Sequence, residues 1–139
     1  MVNKRLSKKI VSTFIELCNL KLAAIILYGS YAEDRETPYS DIDLLIIINK
    51  DFADWREKRA VEVIMRRETL SIGQVSPKVM TTKELLSAIE NYNPLLLNAM
   101  SSGIILYDTG IFKKARKQFK NIYRKKIFKT SEGYWEVVL

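Results

Sequence analysis

The apolar positions of the chain fall into short continuous runs and into helical spacings, and the two patterns predict different elements. The runs LAAIILYG (22–29) and DIDLLIIIN (41–49) are typical of buried strands. GQVSPKVMT (73–81) predicts a third strand, and because Pro77 cannot donate to a ladder we expect that it lies at an edge of the sheet or is interrupted there. GIILYD (103–108) predicts a fourth strand.

Helical spacing fills the segments around these strands. The predicted helices cover about residues 3–20, about 52–69 with Asp51 as N-cap, a segment that begins at Thr82, and Pro94 to Met100. The many charges of both signs between residues 51 and 67 are interpreted as a solvated helix face.

The C-terminal region is predicted to be a basic helix at about 110–129 followed by a tail, 130–139. The apolar members of this helix form a stripe that we interpret as core-facing: Phe112, Ala115, Phe119, Ile122 and Tyr123. Tyr134 and Trp135 on the tail either cover a partner or a sister subunit, which would give a homo-oligomer, or fold back on the domain.

This order of elements predicts a single domain over residues 1–139 of the α/β (α+β) class, in which helices flank a small mixed β-sheet. Hydrophobic residues make up 47% of the chain, which suits a packed core. No apolar stretch is long enough to span a bilayer, so no membrane partner is expected. The single cysteine, Cys18, cannot form an internal disulfide, which favours a reducing, cytoplasmic location.

Charge and histidine content narrow the chemistry. The net charge is +7, and nine Lys or Arg residues with no acid lie between Thr109 and Ser131. This indicates either an anionic partner or a solvated helix face. The chain has no histidine, which excludes Ser-His-Asp triads and almost every zinc site. Metal chemistry must therefore use oxygen ligands, which suit Mg²⁺ or Mn²⁺.

Two carboxylates stand at the start of the second strand. Side chains alternate along a strand, so Asp41 and Asp43 share one face with their Cα atoms about 6.6 Å apart. Ile42 between them faces the core. Such a pair would bind a hard cation, and without a cation the two negative charges would repel each other. Packing alone does not explain this arrangement.

Gly29 and Ser30 follow the preceding strand. Glycine lets the backbone turn sharply and approach a ligand closely. A short helix beginning at Ser30 would present free N–H groups and a hydroxyl to phosphate. Since Mg²⁺ takes its remaining ligands from phosphate and water, the combination indicates a nucleoside triphosphate bound with its metal.

The motif Gly29-Ser30, ten residues, Asp41-Ile42-Asp43 resembles the signature of the minimal nucleotidyltransferase (MNT) family in the DNA polymerase beta superfamily. The ten-residue spacing is similar to that of the antitoxin halves of HEPN/MNT pairs, and NPLLLNAMSSGIILYD (93–108) is also similar to these small proteins.

The resemblance implies both a mechanism and its residues. Asp41 and Asp43 would be the catalytic residues and hold Mg²⁺ or Mn²⁺ on ATP or another NTP, while Gly29 and Ser30 bind the β,γ end of the triphosphate. A hydroxyl would attack the α-phosphate and pyrophosphate would leave. In a HEPN/MNT-like protein the acceptor is a hydroxyl of a partner HEPN toxin.

The sequence departs from the family pattern at two places. The stretch that carries a third carboxylate in active members corresponds here to residues 74–80, with Ser76 at the equivalent position and no acid. Lys78 shares its face and would neutralise phosphate charge, or is an exposed lysine on an edge strand. After Gly-Ser, Asp34 stands where relatives carry glycine, and Arg35 either reaches the phosphates from a shifted position or is exposed to solvent.

Three interpretations follow. The chain is an NTP-dependent nucleotidyltransferase, most plausibly an adenylyltransferase; or it is a degenerate, catalytically weak or inactive module that binds nucleotide and partner, which the missing third acid favours. A nucleic-acid acceptor, suggested by the basic helix with Phe119 and Tyr123, is the weakest, since a core stripe explains those aromatics better.

Overall fold

A computed structural model of the chain describes residues 3–91, 93–125 and 127–137, and shows a sheet with helices on both faces. The helices are α1 (Lys4–Cys18), α2 (Trp55–Glu68), α3 (Thr82–Glu90), α4 (Pro94–Ser102) and α5 (Ile111–Lys125). The strands are β1 (Leu22–Tyr28), β2 (Ile42–Ile48), β3 (Val75–Thr81), β4 (Ile104–Asp108), β5 (Ile127–Lys129) and β6 (Trp135–Val137).

The main sheet has four strands in the order β3-β2-β1-β4. Strand β1 pairs antiparallel with β2 and with β4, whereas β2 and β3 run parallel. The predicted α/β class with a small mixed sheet is therefore confirmed. The predicted edge position of the strand that contains Pro77 is confirmed as well, since β3 lies at one end of this order.

Two separate hydrophobic cores sandwich the sheet. Helices α1 and α2 cover the face that carries Ile25 and Leu44, while α3, α4 and α5 cover the face that carries Ile26 and Leu45. Because β1 and β2 are buried on both faces, their sequences are continuous apolar runs rather than alternating ones. No helix in the described part of the chain has the length and apolar character needed to cross a bilayer.

Polar side chains fix where the helices begin. Asp54 is the N-cap of α2, because its carboxylate accepts hydrogen bonds from the N–H groups of Arg56 and Glu57. The prediction of Asp51 as this cap was wrong; its carboxylate instead lies 3.5 Å from the ammonium of Lys83. The N-cap immediately precedes the first helical residue, and α2 begins at Trp55, three residues later than the pattern indicated.

The C-terminal region differs from its prediction. The basic helix does not reach residue 129 but ends at Lys125, and the predicted tail contributes strand β6, which pairs antiparallel with β5. The hairpin is anchored to α4: the indole N–H of Trp135 and the ammonium of Lys129 both donate to Oδ1 of Asn98, at 3.1 and 3.2 Å. These contacts with the domain override helix propensity near the chain end.

The apolar stripe of α5 faces the core as predicted. Phe119 is 3% exposed, and its ring meets that of Trp135 edge to face with centroids 6.1 Å apart. Trp135 thus folds back on its own domain, whereas Tyr134 is 71% exposed. The side chain of Tyr123 lies outside the described residues. Because Phe119 is buried in the core, it has no face free for stacking on a nucleic-acid base.

Gly103, the residue between α4 and β4, is a position where we expect a large effect on stability. A Cβ there would overlap the carbonyl oxygen of Ala99 and lie 2.7 Å from Cγ2 of Ile26. The backbone is held at this point by Arg116, whose Nη2 donates to the Gly103 carbonyl at 2.7 Å. We expect Gly103→Ala to lower the free energy of unfolding by about 1–3 kcal/mol, measured by urea denaturation.

The matched control for that variant is Ser101→Ala, an exposed position near the end of the same helix. Since alanine is a good helix former, this change should leave the free energy of unfolding within about 0.5 kcal/mol. Equal stability of the two variants would contradict the close packing at Gly103.

Candidate functional site

Two carboxylates lie side by side where β2 begins next to the end of β1. Asp41 immediately precedes β2 and is exposed, while Asp43 is the second residue of β2 and is half-buried. Ile42 between them points into the core under α1 and α2, and its N–H donates to the carbonyl of Gln74 at 2.7 Å. Tyr28 is the partner of Asp43 across the β1–β2 ladder. Alternation along β2 therefore directs the two acids away from the core that buries Ile42.

The electrostatics show that these acids act on one another. Partial burial raises the pKa of Asp43 above its ordinary value, the charge of Asp41 raises it further, and the ammonium of Lys78 lowers it. Burial, and then the charges of Asp43 and Glu62, raise the pKa of Tyr28 to about 12. A cation bound between Asp41 and Asp43 would relieve this repulsion.

The chain makes its tight turn directly against this acid pair. A short 3-10 turn over Gly29–Tyr31 follows β1, and Gly29 has φ +73°, a left-handed conformation that favours glycine. A Cβ on Gly29 would lie 2.5 Å from Oδ2 of Asp43. The close approach and the φ value both require glycine here. Ser30 is the next residue of this turn, and its N–H comes before the first hydrogen bond of the turn, from Ala32 to the Gly29 carbonyl.

Ser76 of β3 lies directly beside Asp43 in the parallel β2–β3 ladder, on the same face of the sheet. Ser76 and Asp41 also line a common cavity of about 230 Å³. Within the described residues there is no group of three or more His, Cys, Asp or Glu side chains that could hold a metal ion. The carboxylates at this position are thus Asp41 and Asp43, with a serine hydroxyl beside Asp43.

The remaining predicted residues lie at different distances from the acid pair. Lys78 is on the same face as Ser76, two residues further along β3, and its charge reaches Asp43. Arg35 is 67% exposed and donates from Nη2 to Oε2 of Glu33 at 2.8 Å. The structure therefore places Gly29 against Asp43, with Asp41, Ser76 and Lys78 near that carboxylate, but pairs Arg35 with Glu33.

Asp34 explains one departure from the family pattern. Its φ is +52°, in the left-handed region that glycine adopts freely, which agrees with the glycine that the family pattern leads us to expect here. Aspartate tolerates this conformation better than most residues because its short polar side chain can hydrogen-bond locally. The backbone of the turn is thus maintained without the glycine.

Two neighbours of the site were missed by sequence reasoning. Tyr28 ends the apolar run of β1, and the pairing of β1 with β2 places it opposite Asp43. Arg66 of α2 lines the cavity that also contains Asp41 and Ser76. Register could have identified Tyr28, but nothing in the sequence relates Arg66 to the acid pair, since their proximity depends on how α2 packs on β3.

The donor set fits a hard divalent cation. Oxygen ligands suit Mg²⁺ and Mn²⁺, and each carboxylate can offer two oxygens. In the described part of the chain the side chains of Ser30, Asp41 and Asp43 make no hydrogen bond or ion pair with other residues. Their polar atoms are therefore available to a ligand.

Comparison with known proteins gives a consistent result. Residues 7–106 match the family model described as "Nucleotidyltransferase domain". The chain is 28% identical to a Methanocaldococcus jannaschii protein named "Putative protein adenylyltransferase MJ1305", with 98% of this chain and 97% of that protein covered.

Solved structures with the same fold include a toxin–antitoxin crystal structure with AMP-PNP, at 16% identity over 85% of this chain and 86% of that chain, with a TM-score of 0.58. Another is a chain from a complex of tri-AMPylated Shewanella oneidensis HEPN toxin with MNT antitoxin, at 15% identity, 87% and 86% coverage and a TM-score of 0.55. At these identities the likeness shows the fold.

Proposed function

The chain belongs to the nucleotidyltransferase domain family, and from that premise we propose that it transfers AMP from ATP to a hydroxyl group of a protein partner. The observation that carries the proposal is the contact between the Gly29–Ser30 turn and the acid pair. Asp43 lies so close to Gly29 that no side chain fits between them. A triphosphate held by the turn would therefore reach a metal held by Asp41 and Asp43.

Each residue has a role in the proposed reaction. Asp41 and Asp43 would hold Mg²⁺ or Mn²⁺, which when bound neutralises charge on the triphosphate. Ser30 would donate to the β,γ-phosphates, and Lys78 would offset negative charge near Asp43. The acceptor oxygen forms a bond to the α-phosphorus, the bond from that phosphorus to the bridging oxygen of the β-phosphate breaks, and pyrophosphate leaves. The hydroxyl proton passes to solvent. Catalysis then rests on positioning and charge stabilisation.

The names of similar proteins support the choice of nucleotide and acceptor. The Methanocaldococcus jannaschii relative is named as a protein adenylyltransferase, one structural neighbour was crystallised with AMP-PNP, and another contains a tri-AMPylated HEPN toxin. On this basis we take ATP as the nucleotide and a HEPN-type protein as the acceptor, with both proteins in the cytoplasm.

A second candidate is a module that binds nucleotide and partner without turnover. It is favoured by Ser76, because this hydroxyl lies beside Asp43, at the position where the family resemblance implies a third carboxylate in active members. A serine hydroxyl is a weak metal ligand and a poor general base at neutral pH. Such a module would keep both the acid pair, Asp41 and Asp43, and the Gly29–Ser30 turn.

One experiment separates these functions. The protein is incubated with Mg²⁺ and α-³²P-ATP, together with the product of the neighbouring gene. Transfer predicts label on that partner and an equal amount of released pyrophosphate, while γ-³²P-ATP gives no label because the γ-phosphate leaves. Thermal stabilisation by ATP without labelling of the partner favours the binding module. If the Ser76→Asp variant then labels the partner, the missing carboxylate is the reason that the wild type does not. Label on RNA ends would move the acceptor to nucleic acid.

A further inference from the structure

Two cavities open side by side between α2 and the edge strand β3, and they share Arg66. The smaller, of about 70 Å³, extends from Arg59 and Val63 to Lys78. The larger, of about 230 Å³, extends from Leu70 to Asp41 and Ser76. We refer to these two neighbouring cavities as the α2–β3 groove; the larger one reaches Asp41 of the acid pair.

The position of this groove relative to the triphosphate matters. The strand order β3-β2-β1 puts the α2–β3 groove on one side of Asp43 and the Gly29–Ser30 turn, after β1, on the other. Displacement at the α-phosphorus proceeds in line, so the acceptor must approach from the side opposite the leaving pyrophosphate. With the phosphates at the β1 side, the approach on the β3 side is the α2–β3 groove.

Two arginines of the groove form no ion pair with another described residue, although the carboxylates of Glu62 and Asp41 line the same two cavities. Arg59 and Arg66 are exposed, and within the described residues neither guanidinium has a hydrogen-bond or ion-pair partner. Other arginines of α2 are engaged: Arg67 lies 3.6 Å from Glu68, and Arg56 stacks over the ring of Trp55. Free cations beside a site attract an anionic partner by long-range steering.

A partner strand cannot pair with this edge through the N–H groups of β3. Those that point outward already donate to acceptors, and Pro77 has no N–H. The acceptors are the Gly73 carbonyl for Val75 (3.0 Å), Glu62 Oε2 for Val79 (2.8 Å) and Glu84 Oε1 for Thr81 (3.3 Å). A partner must therefore be recognised through side chains.

The side chains of the groove favour a polypeptide over a nucleic acid. Val63 and Leu70, which flank Arg66, are 57% and 67% exposed, while no aromatic residue lines either cavity. Single-stranded nucleic acids are bound by aromatic platforms on which bases stack. We propose that the α2–β3 groove binds an acidic polypeptide segment of the acceptor protein and directs its hydroxyl to the acid pair; this inference rests on the proposed function.

The test measures binding separately from transfer. Fluorescein-labelled poly(Glu,Tyr) is titrated with the full-length protein in Mg²⁺ and AMP-PNP, and anisotropy gives Kd for the wild type and for Arg59→Glu/Arg66→Glu. We expect Kd to rise at least about tenfold in this variant, since two favourable charge contacts become repulsive. The control, Lys113→Glu/Lys117→Glu, makes the same charge change on α5 on the opposite face of the sheet and should shift Kd less than about twofold.

Charge reversal also makes a positive prediction, which guards against misfolding as the explanation. Arg59→Glu/Arg66→Glu should bind poly(Lys,Tyr) more tightly than the wild type does. The single variant Arg59→Glu, which does not line the cavity of Asp41, should keep its stabilisation by Mg²⁺ and AMP-PNP. Equal losses in the α2 and α5 variants would overturn the proposed groove. The proposal would also be overturned if a single-stranded RNA 20-mer competed with poly(Glu,Tyr) for the wild type and bound the α2 variant more weakly. If Mg²⁺ and AMP-PNP do not stabilise the wild type, the proposed function itself is overturned.

Discussion

Asp43→Asn is expected to lower the rate of nucleotidyl transfer by about 10³-fold or more. Asparagine keeps the shape of the side chain but replaces a charged oxygen with a neutral carboxamide, so the metal of the proposed site would lose one of its two carboxylates. Removal of a single preorganised electrostatic group commonly costs about 10²–10³ in rate, and a metal ligand supports several such contacts at once. The measurement is single-turnover transfer of label from α-³²P-ATP at saturating Mg²⁺.

The same substitution should act on stability in the opposite direction. Burial and Asp41 raise the pKa of Asp43 in the folded state, so the folded protein binds this proton more tightly than the unfolded chain does. Without metal, the contribution of Asp43 to stability is therefore greatest below the ordinary pKa of an aspartate and is lost as pH rises through the raised pKa. Asp43→Asn removes that loss, and in EDTA at neutral pH its urea midpoint should equal or exceed that of the wild type.

The control for both readouts is Asp51→Asn, which neutralises a carboxylate that is 76% exposed at the other end of β2. It should leave transfer within about twofold, because an exposed ion pair contributes little. Transfer by Asp43→Asn within tenfold of the wild type would contradict the assignment of this residue as a metal ligand.

The central strands and the acid pair could be predicted from the sequence because they follow from local rules. Strands β1 and β2 are continuous apolar runs, and the alternation of side chains puts Asp41 and Asp43 on the same face whatever the rest of the fold does. The edge position of β3 followed from Pro77 in the same way. These features depend on a few neighbouring residues, and the structure contains all of them.

Features that depend on distant contacts were not predicted. The hairpin of β5 and β6 replaces the predicted end of the basic helix because Trp135 and Lys129 bind Asn98, which lies more than 30 residues earlier. Arg66 appeared as one charge among many on α2, and only the packing of α2 against β3 brings it to the acid pair. Helix spacing places side chains on a face but does not say what that face contacts.

Gly29→Ala is expected to impair both the site and the fold. At φ +73° an alanine costs about 1–2 kcal/mol of stability from its backbone conformation. Its Cβ would also lie 2.5 Å from Oδ2 of Asp43, so either the carboxylate or the turn must move. Because a displacement of about 1 Å at a reacting centre can cost about 10²-fold, we expect transfer to fall by at least that factor. The measurements are single-turnover transfer and urea unfolding.

Gly133→Ala separates the two contributions. Gly133 has a similar left-handed φ of +92°, yet a Cβ there would meet no atom within 4 Å. This variant should show the backbone cost alone, with transfer unchanged. Combining Gly29→Ala with Asp43→Asn should add little further loss of transfer, since both act on the same carboxylate. If Gly29→Ala transfers label as well as Gly133→Ala does, the turn does not need to lie against Asp43, and the coupling of phosphate and metal sites on which the proposed function depends is wrong.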